Sequence, residues 1–194
     1  KRTVDSAKDD SKTREQRTTY DVQAVYGGGN MADYVPTDTE NGYAEVLIEG
    51  CQKTSINYVY GGGNAAAVPA TDVTVKGTYI INTLYGGGNG ADPDKPGADV
   101  GIYKDGETPT NYGTGKAVTK LLGGYINNVY GGSNTKGDVR GGTDVSTKNQ
   151  GQKVTGDCCS DLYVGEIYGA GSHADVKGDV NITLDCLPDE FVDA

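Results

Sequence analysis

A chain of 194 residues is the size of one domain, but 31 glycines, no tryptophan, one phenylalanine (Phe191) and one histidine (His173) leave few large side chains for a broad globular core. A formal charge of −10 with no basic stripe argues against a nucleic-acid partner, whose phosphates need clustered Lys and Arg, and disfavours anionic membrane surfaces and acidic polysaccharides unless a divalent cation bridges them. No apolar run approaches the ~20 residues of a membrane span, so no spanning segment is expected.

Taken in order, residues 1–18 ("KRTVDSAKDDSKTREQRT") are charged and mixed, lack the apolar stretch of a signal peptide, and read as a linker or a cap. Residues 19–186 carry one phrase five times: VYGGGN at 25–30 and 59–64, LYGGGN at 84–89, VYGGSN at 129–134 and IYGAGS at 167–172. Residues 187–194 remain as a tail or cap that can lay Leu187 and Phe191 on the last repeat. The motif tyrosines Tyr26, Tyr60, Tyr85, Tyr130 and Tyr168 are separated by 34, 25, 45 and 38 residues.

The shortest interval carries the architecture. Within it Val73 and Val75 alternate with Asp72, Thr74 and Lys76, the period of a half-buried strand. Val46 and Ile48 alternate with Glu45 and Glu49 in the same way, as do Val180, Ile182 and Leu184 with Asn181, Thr183 and Asp185. About 25 residues at ~3.3 Å per strand residue suffice for three short strands and three corners. The expected fold is therefore all-β, a parallel β-solenoid in the form of a right-handed three-sided β-helix of about five to six coils, burying one inner column of Val, Ile and Leu.

Two aliphatic positions recur before each motif tyrosine. Val22, Ile56, Ile81, Ile126 and Val164 lie four residues before it, and Val25, Val59, Leu84, Val129 and Ile167 lie one before it. These positions have opposite parity, so both can point inward only if the strand bends between them. Asn57, Asn82, Asn127 and Gly165 stand at the intervening position, with Gln23 the exception, and stacked asparagines there are expected to bond side chain to side chain. The GGGN runs are expected to be a second corner that needs positive φ and close backbone approach. Their final residues Asn30, Asn64, Asn89, Asn134 and Ser172 would form a second polar ladder.

Excess residues over the shortest interval fall mainly after the GGGN corner, at 31–43 and 90–115, and in the fourth interval near 146–156. Insertions sharing a corner emerge on one side of a solenoid, often the binding side. Asp92, Asp94, Asp99 and Asp105 in the longest insertion offer oxygen ligands to calcium, but their spacing matches no EF-hand loop. Of the four cysteines, Cys51 and Cys159 each precede a motif tyrosine by nine residues, and Cys186 falls near that station in the next coil. A disulfide from Cys186 to Cys158 or Cys159 is thus sterically open, which would favour an extracellular setting. The motif tyrosines follow inward aliphatics, so alternation turns them outward, where they can stack on one another or form an aromatic strip for a ligand.

The runs "INNVYGGSNTKGDV" and "EIYGAGSHADVKGDVNITL" resemble the glycine-rich β-helical repeats of large surface or secreted adhesin-like proteins of gut anaerobic bacteria. The resemblance implies export to the cell surface or beyond and a structural or adhesive role, and supplies no catalytic residue. The reading that follows is a non-enzymatic module binding a glycan or surface protein through its tyrosine line and corner loops. Two others stand beside it. One is a polysaccharide lyase or hydrolase with paired carboxylates in a β-helix groove, and the other is a filament subunit that self-associates along the solenoid axis.

Overall fold

The computed structural model describes residues 20–50, 53–106, 108–147 and 162–184. In chain order the strands are β1 (Val22–Tyr26), β2 (Ala44–Glu49), β3 (Ser55–Tyr60), β4 (Thr71–Gly77), β5 (Ile80–Tyr85), β6 (Ile102–Asp105), β7 (Thr108–Asn111), β8 (Ala117–Leu121), β9 (Gly124–Tyr130), β10 (Thr143–Ser146), β11 (Leu162–Tyr168) and β12 (Val180–Thr183). No helix occurs among the described residues.

Two five-stranded sheets account for all but two of these strands. One runs β1-β3-β5-β9-β11 and the other β2-β4-β8-β10-β12, and every pairing in both is parallel. Apart from β6 and β7, successive strands alternate between the sheets, so the chain returns to each sheet one row further along, as in a β-solenoid. A third line of contact follows the glycine corners of the second to fifth rows. It is reduced to single parallel bridges, Val68 to Val100, Val100 to Val139 and Val139 to Val176.

The pairing sets the motif in register. Val25, Val59, Leu84, Val129 and Ile167 are mutual neighbours across the first sheet, and so are the five motif tyrosines. Register pairing skips Gln23, Asn57, Asn82, Asn127 and Gly165 and resumes one residue later. The strand thereby changes facing at that point, which lets Ile56 and Val59, Ile81 and Leu84, and Ile126 and Val129 all be buried despite their opposite parity.

These side chains meet Val46, Ile48, Val73, Val75, Leu121 and Val145 from the second sheet in the main core. A smaller core gathers Ala44, Val68, Val100, Ala117 and Val139 behind the valine bridges. On the outer face of the second sheet, neighbouring rows carry opposite charges: Lys76 to Glu49 at 2.7 Å, Lys120 to Asp72 at 2.6 Å and Lys116 to Asp144 at 3.1 Å. Each is exposed enough to contribute no more than about 1 kcal/mol, so the pairs select register more than they stabilise. At the last row Val180, Ile182 and Leu184 are exposed, whereas their counterparts in earlier rows are covered.

Two expectations are corrected. The glycines of the GGG runs do not occupy the positive-φ region; among the described residues the glycines that do are Gly90, Gly101, Gly106, Gly113, Gly115, Gly124, Gly137 and Gly142. Proximity is what demands glycine there. A Cβ on Gly27, Gly61, Gly86 or Gly131 would overlap the carbonyl oxygen of Gly61, Gly86, Gly131 or Gly169 in the next row. The second correction concerns residues 90–115, read as loop, where β6 and β7 form an antiparallel hairpin pairing Ile102 with Asn111 and Asp105 with Thr108. Its turn opens with Gly106 at φ +63°, directly after the paired Asp105, a place where the primed turns of tight hairpins require positive φ.

Gly86→Ala is expected to cost at least about 3 kcal/mol because backbone blocks the new methyl, while Gly106→Ala, with open space around it but a left-handed φ, should cost only about 1–2 kcal/mol. Urea midpoints of the two variants check the order. Thr119 Oγ is the one buried side-chain polar atom without a hydrogen-bond partner among the described residues, and its row neighbours are Val73 and Val145. Thr119→Val should therefore leave stability unchanged or raise it by about 1 kcal/mol, read by the same titration.

Candidate functional site

The five motif tyrosines form a single column. Ring centroids of Tyr26 and Tyr60, Tyr60 and Tyr85, Tyr85 and Tyr130, and Tyr130 and Tyr168 are 4.9, 5.1, 5.1 and 4.8 Å apart, with planes within 12° of parallel. Each contact of this kind contributes about 0.5–1.5 kcal/mol beyond area burial. Stacking covers the interior rings: Tyr60 and Tyr85 are 4% and 7% exposed, against 37% for Tyr26 and 45% for Tyr168. The faces that would serve as a ligand platform are occupied by neighbouring tyrosines, so the column presents an open ring face only at its two ends. Burial, followed by the neighbouring Tyr130, pushes the Tyr85 phenol up to about 12. Burial and then Tyr26 and Tyr85 push Tyr60 further in the same direction.

Two asparagine lines run beside it. In one, Asn82 Nδ2 donates to Asn57 Oδ1 at 3.0 Å and Asn127 Nδ2 donates to Asn82 Oδ1 at 3.2 Å. In the other, Asn64 donates to Asn30, Asn89 to Asn64 and Asn134 to Asn89 at 2.8, 2.7 and 2.8 Å. At the fifth station of this line Ser172 Oγ lies 2.9 Å from His173 Nδ1. Asn89 also reaches the Tyr26 hydroxyl at 3.5 Å, tying the second ladder to the column.

The insertions of the first and third rows meet. Gly113 N–H donates to the Thr39 carbonyl at 2.6 Å, and the Tyr112 hydroxyl donates to the Tyr34 carbonyl at 3.1 Å. Both insertions rest on the second row, where Tyr34 N–H donates to Ala67 O at 2.9 Å and Gly115 N–H to Pro69 O at 3.0 Å. Tyr112 is buried, edge-on to Tyr103 at 5.8 Å, and burial followed by the charges of Asp33 and Asp99 raises its phenol pKa. Tyr34 and Tyr112 were not singled out from sequence. Their signal is a tyrosine set among loop residues, in "ADYVPT" and "TNYGTG".

The acidic candidates separate. Asp92 Oδ1 accepts the Asp94 N–H at 3.0 Å, a local turn, while the Lys136 ammonium sits among the carbonyls of Asp92, Pro93 and Lys95. A tethered ammonium thus occupies the oxygen-rich side of that loop. Asp99 turns elsewhere and accepts the Asp138 N–H at 2.8 Å; desolvation raises its carboxyl pKa. No group of three His, Cys, Asp or Glu side chains placed to hold a metal occurs among the described residues. Cys51, Cys158, Cys159 and Cys186, and with them the disulfide reading, lie outside the described residues.

No family model matches the sequence, and no curated protein or solved structure matches it as a relative. No helix among the described residues is long and apolar enough to cross a membrane.

The raised phenols give stability a defined alkaline limit. A tyrosine whose pKa is higher folded than unfolded contributes stability that is complete below the unfolded value near 10 and is lost as pH rises toward the folded value, about 12 for Tyr85. Ionisation of the interior column should therefore coincide with loss of sheet signal. Tyrosinate absorbance and circular dichroism recorded together from pH 8 upward check this, and full tyrosine ionisation with an intact sheet would contradict it.

Proposed function

We propose that the chain is a non-enzymatic module of a bacterial surface or secreted protein, a right-handed three-sided β-helix of five to six turns that projects and attaches, holding a glycan or a protein through its corner insertions. The observation that carries this reading is that the insertions of the first and third rows lock onto each other over the second. A loop pair so supported is a rigid surface on a rigid rod, which lowers the ordering cost of binding. The YGGGN repeats, with their likeness to adhesin-like repeats of gut anaerobes, support the surface setting. Within this reading the tyrosine column supplies stiffness along the rod, and ligand contact falls to the corner and to the end rings Tyr26 and Tyr168.

A filament subunit is the second reading, favoured by the exposed Val180, Ile182 and Leu184 of the last row. Immobilised full-length chain is expected to retain oligosaccharides or glycoproteins from a mixed panel, and to lose them when residues 31–43 are replaced by a short turn. Light scattering should give a mass independent of concentration. Mass that grows with concentration would favour the filament, and new chain ends released from a polysaccharide panel would favour a lyase or hydrolase.

A further inference from the structure

Two clefts open along the corner that the insertions share. One, of about 170 Å³, lies between Tyr43, Asp72 and Thr114. The other, of about 440 Å³, lies between Thr114, Asn111, Arg140 and Lys177. Strand register places them end to end. Ala44, Thr71, Ala117, Thr143 and Val180 are successive partners across the second sheet. Tyr43 therefore enters the first row, Asp72 the second, Thr114 the third, Arg140 the fourth and Lys177 the fifth. The clefts share Thr114 as a wall and together follow the axis over four row intervals, about 19 Å at ~4.8 Å each.

The larger cleft is walled by bare backbone. Gly101, Gly113 and Gly115 have φ of +95°, +66° and +65°, which L side chains rarely adopt, and a Cβ on Gly101 or Gly115 would crowd the Arg140 stem at 3.2 or 3.1 Å. Above this wall stands Arg140, exposed, its Nη2 donating to Asn111 Oδ1 at 3.0 Å, which orients the guanidinium. The lysines nearby already have carboxylates: Lys177 lies 2.6 Å from Asp175 and 3.5 Å from Asp138, and Lys116 lies 3.1 Å from Asp144. Arg140 has no carboxylate within 4.0 Å among the described residues, in a chain whose net charge is −10. At the other end Tyr43 is 52% exposed and, unlike the motif tyrosines, its ring stacks on no other aromatic among the described residues.

We infer that this corner is a binding site for an oligosaccharide carrying a single carboxylate, with the acid paired to Arg140 and a neutral sugar ring lying on Tyr43. A guanidinium offers a carboxylate two parallel N–H donors, and such charge-assisted bonds are roughly twice as strong as neutral ones. The overall negative charge repels a polyanion but costs one carboxylate little at physiological salt, where the Debye length is about 8 Å. Two clefts in line over about 19 Å, with an aromatic face at one end and a guanidinium that has no ion pair within 4.0 Å toward the other, suit a short chain of rings better than a compact anion. The inference rests on the attachment reading above and gives it a ligand class and an address.

The test is an array of oligosaccharides ending in glucuronate, galacturonate or sialate, each beside its carboxyl-reduced counterpart, probed with the full chain and followed by calorimetry on the best pair. The acidic member is expected to bind at least about tenfold more tightly. Arg140→Gln should abolish that preference while leaving affinity for the reduced sugar in place, and Arg140→Lys should restore it only in part. Tyr43→Ala should weaken both members about tenfold, and Tyr163→Ala, an exposed tyrosine of the first sheet, neither. Glycans bound with no preference for the acid, or a preference that survives Arg140→Gln, would overturn the inference and leave the attachment reading standing. Absence of any glycan or glycoprotein binding would remove both, and tighter binding of peptides through a free C-terminal carboxylate would reassign the corner to a protein partner.

Discussion

Each paired station of the two parallel sheets lies one hydrogen-bonded strand spacing, about 4.8 Å, from its own counterpart in the next row. A residue in such a stack must tolerate a copy of itself or a complement at that distance. Valine over valine and leucine over valine satisfy the requirement inside, where Val59, Leu84 and Val129 are wholly buried. Tyrosine satisfies it by parallel stacking and asparagine by donating an amide N–H to the amide oxygen of the row before. Glycine satisfies it most stringently, because at Gly61 and Gly86 the neighbouring carbonyl occupies the space of a side chain.

Charged residues cannot repeat so simply, and the outer face shows the consequence. Lys76 stands near Glu49, Lys120 reaches Asp72 and Lys116 reaches Asp144, each pairing a cation with an anion from another row. Arg140 and Lys177 break the pattern, for they follow the paired valines Val139 and Val176 and so bring two cations into adjacent rows. Lys177 is relieved by Asp138 and Asp175, whereas Arg140 hydrogen-bonds the neutral Asn111 and, among the described residues, makes no ion pair within 4.0 Å, feeling Asp99 only from farther off. Departure from like-on-like pairing is what distinguishes this corner from the columns around it.

Stability in such an array is close to a sum of row energies and nearest-neighbour terms. The tyrosine column and both asparagine ladders add to the neighbour term at each step, which favours one stiff cooperative body over independently fraying rows. The last row has a neighbour on one side only among the described residues, and its side chains Val180 and Ile182 are exposed where Val145 is buried. Supporting loops from such a wall differs from supporting them on a sheet edge. Residues 31–43 and the insertion at 90–115 are anchored through backbone bonds to rows on which they lie, and to each other.

Much of this was legible before any coordinates, because repetition exposes it. The parity conflict between Ile56 and Val59 required a strand that changes facing, and Asn57, Asn82 and Asn127 marked the place. Recurrence of Tyr-Gly-Gly and the alternation of Val73 and Val75 determined parallel rows with a dry interior, since local period and spacing are properties of the chain itself. Local pattern could not say why the GGG runs need glycine, for the obstructing oxygen belongs to a residue 25 to 45 positions away. Nor could it assign the tyrosine faces to one another, reduce the third side to valine bridges, or bring Thr39 to Gly113. Those outcomes depend on which rows become neighbours and how far each insertion reaches across them, and only the folded chain sets these distances.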